Sequence, residues 1–377
     1  MNTVDLMFQT VYSELTQRAL DAHFVSDFSP NGTFVSVSDK GRDYWYFDEP
    51  TAGGGRKRKY VGPNSDPDIA QRVAAFKELK SDLAGRRKLV QTLRNQAGLL
   101  GPDRFTGDII QAMALSGFFR LRGVMVGAVA YQVYAGLLGV KLPAATIKTD
   151  DADFAQFHSI SAEVEDRMVP GVAETLRNVD PSFVEVMNQI DGRKHTKFKN
   201  ATGYMVEFLT PNRGSDDHQG RPSPMPALGD THAQPLRYLD FLIHDPVKAV
   251  LLHRGGVPVT IPAPERFAVH KLIVSTKRRD QGGPSDKRLK DVYQATVLME
   301  ALIATRRQDD LAEVYAEAWE RGPAWQEALT TGLRSILKDE TRSRITDGLR
   351  QGLEQIERDP MNYGLGKHDA EYQMKSQ

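Results

Sequence analysis

No cysteine occurs in the 377 residues. That absence excludes disulfides, thiolate metal sites, iron–sulfur clusters and a cysteine nucleophile. No apolar run approaches the roughly 20 residues that a membrane-spanning helix needs. Net charge is missing as well: forty-nine basic residues balance forty-nine acidic ones. No whole-chain field therefore draws the protein to nucleic acid or to a membrane. Three catalytic signatures are absent too. The nine histidines show no His-x₃-His pairing, which argues against zinc. No Gly-x₄-Gly-Lys-Ser/Thr occurs, so there is no P-loop. No Gly-x-Ser-x-Gly occurs, which removes the hydrolase elbow. The first residues hold no basic stretch leading into an apolar one, so no secretory signal is expected and the protein reads as cytoplasmic.

What is present is ordinary globular material. Hydrophobic residues make up 40% and charged residues 26%, enough to bury a core across two or three domains. The zero net charge hides segregation. Thr51 to Arg104 carries twelve basic and five acidic residues, Pro264 to Lys290 eight and three, Glu300 to Pro360 nine and thirteen. Two basic segments could share one face, as a polyphosphate or RNA partner would require. Each could equally be a solvated helix face.

Residues 1–28 have helical apolar spacing at Leu6, Val11, Leu15 and Ala19. Residues 32–62 alternate and turn, at Lys40-Gly41-Arg42 and at Gly53-Gly54-Gly55, which predicts a three-strand meander. Its strands carry Tyr44, Trp45, Tyr46, Arg56, Lys57, Arg58 and Lys59, an aromatic-basic mixture suited to stacking and phosphate contact. The same aromatics could instead pack the meander onto the main body. Helices are predicted over 67–98, opened by Asp66-Pro67-Asp68, and over 103–117. Leu121 to Gly127 reads as a short buried strand, Ala128 to Leu138 as a helix closed by Gly139, and Ala145 to Phe154 as a second strand. A helix over 159–169, a hairpin at Asp191-Gly192 and a strand from Thr202 to Leu209 follow. Thr210 to Gln234 reads as a long loop, a length usually functional. Strands are expected at Leu236 to Ile243 and Val257 to Ile261, joined by Asp245 to Arg254. Helices run from Pro264 to Arg358, with breaks near Gly282-Gly283-Pro284 and Gly322-Pro323. Asp359 to Gln377 looks frayed.

The chemistry concentrates in carboxylates. Asp151 and Asp153 share one face of a strand, about 7 Å apart, while Asp150 points to the other. Such a pair is repulsive unless a cation sits between them, and hard oxygens suit Mg²⁺. Asp-x-Asp also occurs in turns. Glu207, in Tyr204-Met205-Val206-Glu207-Phe208-Leu209, is an ionisable residue inside an apolar strand, costly unless paired, metal-bound or turned to water at an edge. The three together make the ligand set of a two-metal phosphoryl-transfer site. Gly127 opens a strand-to-helix turn, where backbone amides and a helix N-terminus can meet a phosphate.

This ordered set resembles the DNA polymerase β-like nucleotidyltransferase superfamily. Thr149-Asp150-Asp151-Ala152-Asp153-Phe154 is similar to its Asp-x-Asp motif, and Val206-Glu207-Phe208-Leu209-Thr210-Pro211 to its third-carboxylate strand. Pro264-Glu265-Arg266-Phe267-Ala268-Val269-His270-Lys271-Leu272 and Lys290-Asp291 resemble a bacterial subset that includes abortive-infection type toxins, and the likeness spans about residues 32–300. It implies an α+β fold. A mixed-sheet nucleotidyltransferase core at 101–263 would follow an N-terminal region at 1–100 (helix, meander and basic helical segment). A helical domain at 264–377 would complete the chain. It also implies that Asp151, Asp153 and Glu207 hold two Mg²⁺, and that Gly127 and Ala128 cradle a nucleoside triphosphate. Lys271 would touch phosphate and Asp291 would orient it. The acceptor would be RNA, such as a tRNA end, or else a protein or small molecule; a catalytically inactive binding module is the other reading. The toxin-like relatives put toxin–antitoxin or phage-defence roles among the expectations. Two departures stand out: Ala128 replaces the usual Gly, Ser or Thr after Gly127, removing a hydroxyl, and Glu207 stands where Asp is more common.

Overall fold

The computed structural model describes residues 1–23, 31–39, 42–51, 55–65, 67–143, 150–163, 166–212, 220–278 and 286–366. The predicted turns at Lys40-Gly41 and Gly53-Gly54, the break at Gly282-Gly283-Pro284, Thr149 and the last eleven residues lie outside them. Helix α1 (Leu6–His23) leads into the meander β1 (Thr33–Asp39), β2 (Arg42–Pro50) and β3 (Arg56–Pro63), antiparallel throughout. The long helix α2 (Pro67–Asn95) follows. Asp82 on α2 accepts from Arg18 of α1 at 2.7 Å and from Arg86 at 2.6 Å, and Arg86 donates on to the Gly255 carbonyl at 2.8 Å. That chain of charge-assisted bonds ties the N-terminal helices to the body.

Helix α3 (Arg104–Leu115) is capped by Asp103, whose carboxylate accepts from the Thr106 amide at 2.9 Å. Strand β4 (Val124–Val126) is shorter than the sequence suggests. Leu121 to Gly123 forms a turn instead, with Arg122 at φ 63°. Helix α4 (Gly127–Leu138) ends at Gly139 in the left-handed conformation, φ 63°, the usual C-terminal stop. Strand β5 (Asp151–Ala155) is next.

Among the described residues, the expected helix over 159–169 is represented by α5 (His158–Glu163), residues 164 and 165 lying outside them, and Val169–Pro170 is a cis peptide. Helix α6 (Val172–Val179), unforeseen, precedes the hairpin β6 (Val184–Met187) and β7 (His195–Lys199). Strand β8 (Met205–Pro211) follows. The loop expected over 210–234 contains β9 (Ser223–Pro224) and opens β10 (His232–Leu236). Leu236 to Ile243 is not a strand: it holds α7 (Leu239–Leu242). The true partner of β12 (Val257–Ile261) is β11 (Val247–Leu251), in the stretch read as a connection. Periodicity does not separate two short apolar runs of this kind.

Among the described residues, five α-helices follow: α8 (Pro264–Lys277), α9 (Asp286–Ala304), α10 (Gln308–Glu320), α11 (Pro323–Arg334) and α12 (Asp339–Gln355). The expected fraying does not begin at Asp359. Pro360–Tyr363 is a 3₁₀ turn, Leu365 is buried, and Arg350 donates to the Leu365 carbonyl at 2.6 Å.

The central sheet runs β4-β5-β8-β10-β9, with β7 on β8 and β6 on β7. Strand β5 is parallel to β8 and antiparallel to β4. Period-two alternation gives it two chemically different faces. Ala152, Phe154, Val206, Phe208 and Phe198 are buried on one, where the Phe154 and Phe208 rings stack at 5.7 Å and Phe118 closes on Phe154 at 5.0 Å. The intervening residues Asp151, Asp153, Glu207 and Lys197 are only partly buried and share the other face. Apolar side chains holding one face are what let the opposite face collect charge.

Candidate active site

Strand register gathers the site. Val126 pairs with Asp153, Asp153 with Glu207, and Glu207 with Lys197, so one row crosses β4, β5, β8 and β7. Directly paired residues project to the same side. Asp151 lies two residues along β5 from Asp153, paired with Met205.

Gly127 follows Val126 and turns the chain into α4. Its φ is +71°, and a Cβ there would lie 2.4 Å from Asp153 Oδ2. Glycine alone meets the left-handed backbone and that approach without strain or a shift of the Asp153 carboxylate. Gly127 and Ala128 are partly exposed, and no side chain caps the amides of this turn. The first N–H groups of a helix lack intrahelical partners, so this turn offers donors beside the carboxylates.

Asp153 is pushed up to about 7. Burial is the largest cause, followed by the negative fields of Asp151 and Glu207; Lys271 and Lys197 oppose them. Lys197 Nζ stands 3.0 Å from Glu207 Oε1.

Lys271 on α8 is 2.6 Å from Asp291 Oδ1, and Arg278 Nε is 2.5 Å from Asp291 Oδ2. Asp291, on α9, is buried, so two cations share one carboxylate out of water. Lys271 Nζ also lies 5.3 Å from the centre of the Phe267 ring. Neighbouring His270 is held down to about 3, first by burial and then by Lys271, so it stays neutral and adds no charge at neutral pH. Tyr204 is buried at the edge of the site, its hydroxyl 3.0 Å from Thr106 Oγ1.

Sequence reasoning missed Lys197, Arg278 and Tyr204. The alternation in His195-Thr196-Lys197-Phe198-Lys199 marks a strand with basic residues on one face, but pairing it with β8 requires the topology.

The donor set fits a hard divalent cation: three carboxylates, no imidazole or sulfur, mutually repulsive on one face. Among the described residues, no three His, Asp or Glu side chains are gathered tightly enough to hold a metal ion as they stand.

The meander lies elsewhere. Phe34 and Phe47 pack at 4.8 Å and 5.4 Å against Phe76 of α2, both edge-on. Arg58 is bidentate on Asp48, at 2.6 Å and 2.7 Å, with its guanidinium 5.7 Å from the centre of the Tyr46 ring. Arg58 and Tyr46 thus serve the meander's own structure. Tyr44 and Trp45 are partly buried and Arg56 is exposed; Lys57 and Lys59 lie on β3 with Arg58.

A mixed sheet with a glycine turn opening onto two strand-borne aspartates and a third acid on the adjacent parallel strand defines a nucleotidyltransferase fold. Comparison with known proteins agrees. The family model described as nucleotidyltransferase matches residues 104–320, and the chain belongs to that family. Gly127, Ala128, Asp151, Asp153, Glu207, Lys271 and Asp291 all fall inside the match. Among solved structures the chain is similar to an antigenic nucleotidyltransferase-like protein from Paracoccidioides brasiliensis. Identity is 14%, over 61% of this chain and 94% of that one, with a TM-score of 0.29. No curated protein matches. Among the described residues, no helix is long and apolar enough to cross a membrane.

Proposed function

We propose that the protein transfers a nucleoside monophosphate from a nucleoside triphosphate to an acceptor hydroxyl, with Mg²⁺. The observation that supports this best is the in-register row from Val126 through Asp153 to Glu207, with the Gly127 turn at its β4 end and Asp151 beside it. Asp151, Asp153 and Glu207 would hold the cations. When bound, Mg²⁺ would lower the acceptor hydroxyl's pKa and neutralise charge on the leaving group.

The chain's own residues would do the remainder. The amides following Gly127, Ala128 first, hold the β- and γ-phosphates at the start of α4. Lys271, fixed by buried Asp291, adds a point charge to the phosphates. Glu207 takes the acceptor's proton. The new bond joins the acceptor oxygen to the α-phosphorus, the bond from that phosphorus to the bridging oxygen breaks, and pyrophosphate leaves.

We assign the acceptor to RNA on the meander's composition, with Tyr44, Trp45, Arg56, Lys57 and Lys59 as the contacting set. Arg58, committed to Asp48, contributes least. Organisation into 1–100, 101–263 and 264–377 is part of the same reading, with Lys271 and Asp291 reaching the core from the third segment. Two observations favour a second reading, a binding module without turnover. Ala128 offers no hydroxyl to the triphosphate, and the acids are not drawn together.

Label transfer tests both. Purified protein receives each α-labelled nucleoside triphosphate with Mg²⁺, total RNA and cell lysate, beside Asp151→Ala/Asp153→Ala. Label on RNA is expected with the native protein only. Label on protein or a metabolite would move the acceptor, and no label anywhere would favour the binding module.

A further inference from the structure

Lys197 sits on the carboxylate face yet belongs to none of the motifs that define it. It pairs with Glu207 across β7 and β8, on the side of Glu207 away from Asp153. Three adjacent strands therefore present acid, acid, base, in steps of about 4.8 Å. Its ammonium is 3.0 Å from Glu207, and its side chain keeps 38% of its surface exposed. The side chain thus stays partly open to water, with its ammonium on a flexible four-carbon stem.

Two cations cannot share Glu207 without repelling each other. A divalent ion arriving at the three acids therefore weakens the hold of Glu207 on Lys197. A triphosphate arriving with that ion brings new anionic oxygens to the same face. Lys271 is placed differently: its side chain is 15% exposed and paired with an aspartate that is 3% exposed. One lysine is anchored and the other is poised.

Resting on the nucleotidyl-transfer reading, we propose that Lys197 is a second phosphate-binding cation of this site. It neutralises Glu207 while the acids are empty and passes to the triphosphate when substrate and metal enter. Lys197 thereby couples the two ligands, opposing metal alone and favouring metal with triphosphate.

The coupling predicts effects of opposite sign from one substitution. Lys197→Met keeps the stem and removes the charge. Calorimetric titration with Mn²⁺ alone should give tighter binding than the native protein, by about threefold to tenfold for a half-exposed like charge. Titration of a non-hydrolysable triphosphate at saturating Mn²⁺ should give weaker binding, by about tenfold. Lys197→Arg should restore the native order of both. Loss of a merely structural contact would weaken both or neither. Should Lys197→Met fail to fold, Lys197→Gln carries the same comparison.

Metal binding unchanged or weakened in the variant, or triphosphate binding unchanged, would overturn the role of Lys197 and leave the nucleotidyl-transfer reading standing. Native protein that is folded by circular dichroism and binds neither probe would overturn both.

Discussion

Two aspartates show how differently one residue type is used in this chain. Asp48 in the meander and Asp153 in the central sheet both lie within strands and both face a charged residue on the neighbouring strand. For Asp48 that neighbour is Arg58, and both carboxylate oxygens accept from its guanidinium. Asp48 is held below the ordinary carboxylate range, chiefly by those bonds. For Asp153 the neighbour is Glu207, another acid, and burial with like charge pushes it up to about 7. The meander settles its charge locally and gains structure. The central sheet leaves like charge unsettled, a cost that the stacked phenylalanines beneath it sustain. Strained ionisation of that kind marks functional sites.

The largest expected effect separates the two directly. Asp153→Asn should lower pyrophosphate release from a nucleoside triphosphate by on the order of 10³-fold or more, since a metal-binding, transition-state contact is lost. Asp48→Asn should leave that rate within about twofold, because it touches nothing at the site. Similar losses in both variants would erase the distinction.

Next in size are three stability changes. Asp291→Ala would leave Lys271 and Arg278 facing each other without their shared counterion. Removing one partner of a buried pair costs about 3–5 kcal/mol, here toward the lower end because Arg278 is 37% exposed. Urea unfolding measures it. Lys271→Met should cost less, because Arg278 still satisfies Asp291. In the meander, Phe76→Ala removes the ring against which Phe34 and Phe47 pack, worth about 3 kcal/mol. These three rings lie apart from the main core. The loss should therefore appear as faster amide exchange in β1 to β3, with β5 and β8 unchanged. Equal acceleration in β5 would show that the meander and the sheet unfold as one.

How far the sequence reaches follows the same division. The meander was legible because its alternation, aromatic content and glycine turns are local signals. So were Gly127, Asp151, Asp153 and Glu207 as an ordered set, since alternation along β5 puts the two aspartates on one face. Cross-strand neighbours were not legible. Nothing local places Lys197 beside Glu207, because β7 reaches β8 only after the hairpin folds back. Nothing local marks Arg58 rather than Arg56 as the partner of Asp48. Leu236 to Ile243 misled for the related reason that a four-residue helix and a short strand carry the same apolar pattern. The cis Pro170 and the brevity of α5 lay beyond composition altogether.

The smallest effect is the most direct test of strain, and its sign differs between the two aspartates. An unfolded aspartate titrates near 3.9, whereas folded Asp153 titrates near 7. Between those values the folded protein holds a proton that the unfolded chain has lost. The contribution to stability is therefore complete below about pH 4 and is lost as pH rises through 7. Asp153→Asn cannot ionise, so without metal it should melt above the native protein at pH 8 and level with it near pH 4. Asp48 runs the other way. Its contribution is present above the unfolded value and disappears as pH falls through the lower folded one, so Asp48→Asn should be destabilising at pH 7 and progressively less so in acid. Melting curves in chelator resolve the Asp153 slope between pH 4 and 8 and, carried further into acid, below the unfolded value near 3.9, the Asp48 slope. Adding Mg²⁺ should shrink the Asp153→Asn advantage at pH 8, because a bound cation relieves in the native protein what the substitution relieves in the variant. A native-minus-variant difference that stays flat across that range would mean that Asp153 carries no strain, and the contrast with Asp48 would collapse to geometry alone.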